Sequence, residues 1–272
     1  MTRLLNSGST DPSATSLDTH VTLGPMARES VCFIGDSHGN EPWVHFVVQF
    51  AAEEGVRRFV QVGDFGFWPG PEGKAFLQNV SAHLVGLNAG MTVIEGNHDW
   101  HEWLATLVPE SDGLVTIAPH LRWAPRGTVF PLPGADRCLA VGGAPSIDQD
   151  SRIEGVDWWR GETLTAAEVE QCLAAGPVDV VVAHDCPVEI PVSGLLGWPP
   201  GEAHRRIMSA IWTSARPRWW FSGHYHQRVS ARLANPDGSS TRFEVLDCDE
   251  SEDTGRGWII VEAADLSEAG SA

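Results

Sequence analysis

Five short apolar runs in this chain each end in side chains that bind metal ions. The run VCFIGD leads to Asp36 and His38, and RFVQVGD ends in Asp64. MTVIEGNHD carries Asn97, His98 and Asp99, VDVVVAHD carries His184, and RWWFSG opens onto His224 and His226. Imidazole nitrogen with carboxylate and amide oxygen suits Mn, Fe, Zn or Ni, and a donor set without thiolate disfavours softer ions. Each residue taken singly has a plainer explanation. Asp36 and Asp64 could cap helices or sit in turns, Gly96-Asn97 could be a turn dipeptide, and His184 alone reads as an ordinary histidine. Recurrence at five strand ends outweighs these, because ligands in α/β sheets bind where the carboxyl ends of strands converge. His20, His45, His83, His101, His120 and His204 lack such a setting and read as bystanders.

The elements that must position these groups follow from periodicity. VCFIGD (31–36) reads as a buried strand. Asn40 can cap a helix with Pro42 in its first turn, which places Trp43, Phe46, Val47, Phe50 and Ala51 on one face and ends at Gly55. A strand over 58–64, a helix over about 73–88 and a strand over 91–99 complete a strand–helix alternation, the pattern of a parallel sheet with crossover helices. Short β-leaning pieces around 114–117, 121–123, 128–131 and 138–141 predict a mixed stretch. A long charged loop with paired tryptophans spans 142–162. Thr165 and Glu168 form a capping box for a helix that stops at Gly176-Pro177. A strand over 178–185, a helix near 203–213 and strands at 218–223, 228–233, 240–246 and 257–261 finish the chain, with a hairpin turn at 235–239. His-x-His on an extended strand would put both rings on one face, whereas a tight loop after Gly223 would let the backbone bend between them.

In order, the blocks are Asp36-Ser37-His38, Gly63-Asp64, Gly96-Asn97-His98-Asp99, His184 and Gly223-His224-Tyr225-His226. This series resembles the calcineurin-like metallophosphoesterase superfamily, whose pattern is D-x-H, G-D, G-N-H-D/E, a lone H and G-H-x-H. Any one block is a weak signal, and five in order is a strong one. The resemblance implies an α/β sandwich of two mixed β-sheets flanked by helices. It also implies hydrolysis of phosphate esters by a metal-bridging hydroxide at a pair of divalent ions, with Mn²⁺ first and Fe, Zn or Ni as alternatives. Asp36, His38 and His226 would hold one ion, Asn97, His184 and His224 the other, and Asp64 would bridge them. His98 would protonate the leaving oxygen, with Asp99 orienting its ring.

After Asp64 the chain reads Phe65-Gly66-Phe67-Trp68-Pro69, where protein phosphatases of the superfamily carry Asp-Arg-Gly, and this argues against that branch. Phe65, Phe67 and Trp68 could instead form an apolar wall against a base or aryl group. Asn40 is a candidate for substrate phosphate as well as a helix cap, and Arg152, with Trp158, Trp159 and Arg160, is a candidate from the long loop. Small phosphodiesters such as cyclic nucleotides are the favoured substrates. A phosphomonoesterase or nucleotidase is the alternative, and a catalytically silent scaffold of the same fold is the reading from a different class.

The net charge of −18 opposes docking on extended nucleic acid. Five cysteines without CxxC spacing predict no disulfide framework. No apolar run approaches the ~20 residues of a membrane span, and no signal-peptide h-region precedes residue 30, so the expected setting is cytoplasmic. One domain is expected over 30–263, with flexible tails at 1–29 and 264–272.

Overall fold

The computed structural model describes residues 29–193, 197–251 and 253–267. The tail expected before residue 29 and the last five residues lie outside the described part.

Among the described residues, twelve strands and six helices follow the expected alternation. In the first half these are β1 (Ser30–Ile34), α1 (Glu41–Glu53), β2 (Arg58–Gln61), α2 (Gly70–Gly86), β3 (Gly90–Val93), α3 (His101–Leu104), β4 (Val115–Ala118), β5 (Leu121–Trp123), β6 (Val129–Leu132) and β7 (Ala135–Val141). In the second half they are α4 (Ala166–Ala174), β8 (Val180–Ala183), α5 (Pro199–Ala215), β9 (Trp219–Ser222), β10 (Val229–Ala234), β11 (Ser240–Val245), β12 (Trp258–Glu262) and α6 (Ala263–Ser267). They build two mixed six-stranded sheets, ordered β12-β1-β2-β3-β5-β4 and β10-β11-β9-β8-β7-β6. In the first, β1, β2, β3 and β5 run parallel. In the second, β7, β8, β9 and β11 do so. No helix among the described residues is long and apolar enough to cross a membrane.

Period-two alternation sorts each strand's side chains between two layers. Val31, Phe33, Val60 and Val62 face Val180, Val182 and Phe221 between the sheets, with the Phe33 and Phe221 rings stacked at 3.6 Å. Cys32, Ile34, Phe59 and Val93 point outward under α1 and α2. Val181, Ala183, Trp220 and Phe243 point outward under α4 and α5.

The helix ends obey local chemistry. Asn40 accepts from the Trp43 N–H and caps α1 with Pro42 in its first turn. Thr165 and Glu168 close the expected capping box on α4. Three expectations need correction. The buried face of α1 is Trp43, Val44, Val47, Val48, Ala51 and Ala52, which leaves Phe46 and Phe50 50% and 41% exposed, because sheet and α2 together cover a stripe rotated by about one residue. The helix α5 begins at Pro199 rather than near 203, since Pro199 and Pro200 suit a first turn that needs no N–H donors. The tail expected from residue 264 begins as helix α6. Its Leu266 is buried between the sheets, and carbonyls of Asp265 and Leu266 accept from Trp219 and Arg218.

Candidate metal centre

The loops after β1, β2, β3, β8, β9 and β11 meet at one end of the sandwich, and with them come all seven expected donors. Asp36 and Asp64 are buried at the base. His226 Nε2 lies 3.4 Å from Asp36 Oδ2, and His38 Nε2 lies 3.7 Å from Asp64 Oδ2. On the other side His184 Nε2 stands 3.4 Å from Asp64 Oδ2 and 3.0 Å from Asn97 Oδ1. Asp64 therefore touches both halves.

Local backbone geometry makes this possible. His38, Asp64, His224 and His226 all have positive φ, at 42°, 53°, 70° and 48°. Left-handed conformations are uncommon outside glycine, although Asp and His adopt them more readily than most residues, and they persist where surrounding contacts enforce them. The His224–His226 stretch is a tight loop, so its rings part company: His224 packs against His184 at 5.1 Å and His226 against His38 at 4.9 Å. Gly96 and Gly223 allow the approach. A Cβ at Gly223 would stand 2.0 Å from Asp36 Oδ1, and one at Gly96 would stand 2.1 Å from Asp64 Oδ1. Backbone N–H groups of His224 and His98 donate to the Asp36 and Asp64 carboxylates.

Two observations fit the cluster to divalent ions. His224 Nε2 is buried without a hydrogen-bond partner among the described residues. Donor atoms of Asp36, His38 and His226, and again of Asp36, Asp64 and His184, lie within 4.8 Å of one another. The electrostatics agree. Burial would raise the Asp64 pKa, but His184 and His98 hold it well below the usual carboxylate range. Burial likewise works against charge on His38, yet Asp249 and Asp64 raise it to about 11. His184 rises to about 9 against its burial through Asp64 and Asp36. His226 rises to about 10, mainly through its hydrogen bond to Asp36. His224 falls to about 4, from burial and the neighbouring His184 charge. These are paired donors of opposite sign, the arrangement a cation displaces protons from.

Above the base lies a cavity of about 570 Å³ whose wall includes His38, His98, His226, Trp68, Arg152 and Trp159. The His98 ring stands 4.0 Å from Asp64 and 3.5 Å from Arg152 Nη2. Trp68 is 38% exposed here and also borders a second, apolar groove with Trp100 and Trp103.

Other expected roles are corrected. The Asp99 carboxylate is taken up by four backbone N–H groups, of Phe65, Gly66, Phe67 and Gly96, rather than by the His98 ring. Burial and the nearby Asp64 charge push its pKa up. Its grip on residues 65–67 turns Phe65 and Phe67 into the core beneath α2, so neither forms a substrate wall. Asn40 serves as the expected cap, its Oδ1 accepting from Trp43, and its Nδ2 donates to Asp249. Arg160 points away and pairs with Glu154 at the surface.

Three residues of the site were missed from sequence. Asp249 holds His38 Nδ1 at 3.0 Å, and Ser146 with Glu162 backs Asn97. The signal for Asp249 was an aspartate just past a strand end, in LDCDE. For Ser146 and Glu162 it was only their place in a long loop.

A family model described as calcineurin-like phosphoesterase matches residues 30–228. Among solved structures, TT1561 of Thermus thermophilus is similar at 11% identity and TM-score 0.52, over 87% of this chain and 99% of that one. A second is similar at 14% identity and TM-score 0.51, over 86% and 99%. GAP50, the anchor in the inner membrane complex of Plasmodium, has 12% identity and TM-score 0.45, over 86% and 81%. The first two likenesses concern the fold alone. No curated protein matches the chain.

Proposed function

Because this chain belongs to the calcineurin-like phosphoesterase family, we propose that its substrates are small phosphodiesters such as cyclic nucleotides. Family membership makes it a metal-dependent hydrolase of phosphoester bonds. Asp36, His38 and His226 would hold one divalent ion, Asn97, His184 and His224 the other, with Asp64 between them and Mn²⁺ as the first choice. Bound there, the ions supply Lewis acidity toward a phosphoryl oxygen and lower the pKa of water.

The chain's own residues supply the remaining chemistry. His98, at the mouth of the centre, would deliver a proton to the leaving oxygen. Arg152, beside His98, would donate to a non-bridging phosphate oxygen. Trp68 would offer an apolar face to the esterified group.

The observation that carries the diester preference is the charge of the cavity wall. Its guanidinium, that of Arg152, shares the wall with the carboxylates Asp157 and Glu250 and is paired with Asp148 at 2.7 Å. A monoester dianion brings a second negative charge to a guanidinium already outnumbered by the carboxylates of Asp148, Asp157 and Glu250, whereas a diester brings one. Five buried free cysteines support a reducing compartment, and we assign the cytoplasm.

The test is a comparison of kcat/KM for bis(p-nitrophenyl) phosphate and p-nitrophenyl phosphate after loading with Mn²⁺, followed by 2′,3′- and 3′,5′-cyclic nucleotides. Diesters should be the better substrates. Preference for the monoester would overturn the assignment in favour of a phosphomonoesterase or nucleotidase.

A further inference from the structure

The Asn97 side chain is held from behind by two buried residues of the long loop. Its Nδ2 donates to Ser146 Oγ at 3.0 Å. Ser146 donates in turn to Glu162, from Oγ to Oε2 at 2.5 Å and from N–H to Oε1 at 3.1 Å. All three side chains are buried. The two Glu162 oxygens thus accept both hydrogens that Ser146 can offer. The serine oxygen is then left with lone pairs alone and can receive only the NH₂ end of an amide. The relay thereby sets the polarity of Asn97, turning its carbonyl oxygen toward His184 at 3.0 Å. With the amide reversed, an NH₂ group with no lone pair to give would face the donor cluster.

The same two residues bracket the segment that carries Arg152. Beyond Glu162 the anchor is firm, because buried Arg126 donates to the carbonyls of Gly161, Glu162 and Thr163 at 2.9, 3.2 and 2.9 Å. Between the brackets, Arg152 reaches back to within 3.5 Å of His98 Nε2. Exposed Ile147, Ile153 and Val156 add little packing to this stretch, whose one buried side chain, Trp159, lies beside its Glu162 end, so its position depends on its ends.

We infer that Ser146 and Glu162 are positioning residues that aim the Asn97 carbonyl at the metal centre and tie the ordering of the Arg152 segment to metal loading. The inference rests on Asn97 being a metal donor, as the proposed function has it. With an ion held at the centre, the Asn97 amide would be more strongly polarised, its Nδ2 would donate more strongly to Ser146, and the bracket would tighten in turn.

The experiment is Mn²⁺ titration calorimetry on the chelator-stripped full chain, on Ser146→Ala and on the near-isosteric Glu162→Gln, with amide hydrogen exchange over residues 147–160. One of two Mn²⁺ sites should weaken by about 10–100-fold in each variant while the other is unchanged. Mn²⁺ should slow exchange in the segment in the parent and less so in the variants. Unchanged affinity in both variants overturns the inference, even with a lower melting temperature, since that combination marks a merely structural role. Should Ser146→Ala fail to fold, Glu162→Gln decides alone. A parent that binds no Mn²⁺ overturns the inference together with the donor assignment, whereas one that binds Mn²⁺ but cleaves no diester overturns only the substrate reading.

Discussion

The Asp249 carboxylate stands 3.0 Å from His38 Nδ1, although 211 residues separate the two in sequence. Its other oxygen accepts from Asn40 Nδ2 at 2.8 Å. A carboxylate on the far nitrogen of a ligating histidine fixes the ring's tautomer and raises its basicity. Asp249→Ala should therefore weaken Mn²⁺ binding by about 10–100-fold at one site, measured by calorimetry. Asp249→Asn, which keeps an acceptor oxygen, should lose less. Equal affinity across the three proteins would remove Asp249 from the site.

His98 donates its backbone N–H to Asp64 but keeps its ring at the cavity mouth. His98→Ala should retain its metal and lose about 10²–10⁴-fold in turnover on alkyl phosphoesters. Loss should be far smaller on a p-nitrophenyl ester, whose leaving group needs no proton. If the variant cleaves alkyl esters as fast as the parent, the acid is another group.

The raised pKa values of His226, His38 and His184, about 10, about 11 and about 9, mean that these rings carry protons near neutrality in the absence of metal. A ligating imidazole must be neutral, so metal binding releases protons and its apparent affinity rises with pH. Calorimetry at pH 7 in buffers of different ionisation enthalpy should count more than one proton released per loaded chain. The stripped protein should behave oppositely. Its folded state binds more protons than the unfolded one, so this stabilisation is full below about pH 6.5 and is lost as pH rises toward 9–11. Urea midpoints that climb with pH across that window would contradict the ion pairs.

Arg126 is buried against Glu95, Nε to Oε1 at 2.7 Å, and spans from the β3 end to the long loop. Removing one partner leaves an uncompensated charge, so Arg126→Ala should cost about 3–5 kcal/mol in urea unfolding. Arg126→Met with Glu95→Gln should recover part of it. A change within the error of the measurement would mean that the pair contributes nothing to the anchor.

Much of this protein was legible locally. Asn40 and the Thr165–Glu168 box cap the helices they were expected to cap, because a cap is a contact between residues three apart and needs nothing from the rest of the chain. The convergence of the seven candidate donors on one rim was legible for a related reason. Each follows an apolar run, and parallel strands deliver their carboxyl ends to one rim whatever the details of packing. Side-chain partners were a different matter. Phe65-Gly66-Phe67 has the composition of an aromatic wall, but four backbone donors converging on Asp99 turn it inward. Ser146 and Glu162 sit in a segment without periodicity, and Asp249 lies in an acidic run that composition alone assigns to solvent. Sequence by itself determined which donor types exist and which strand end carries each, since those depend on neighbours a few residues away. Tertiary structure alone decided which acceptor faces which donor, because strand register and sheet packing bring distant atoms to within about 3 Å or keep them apart.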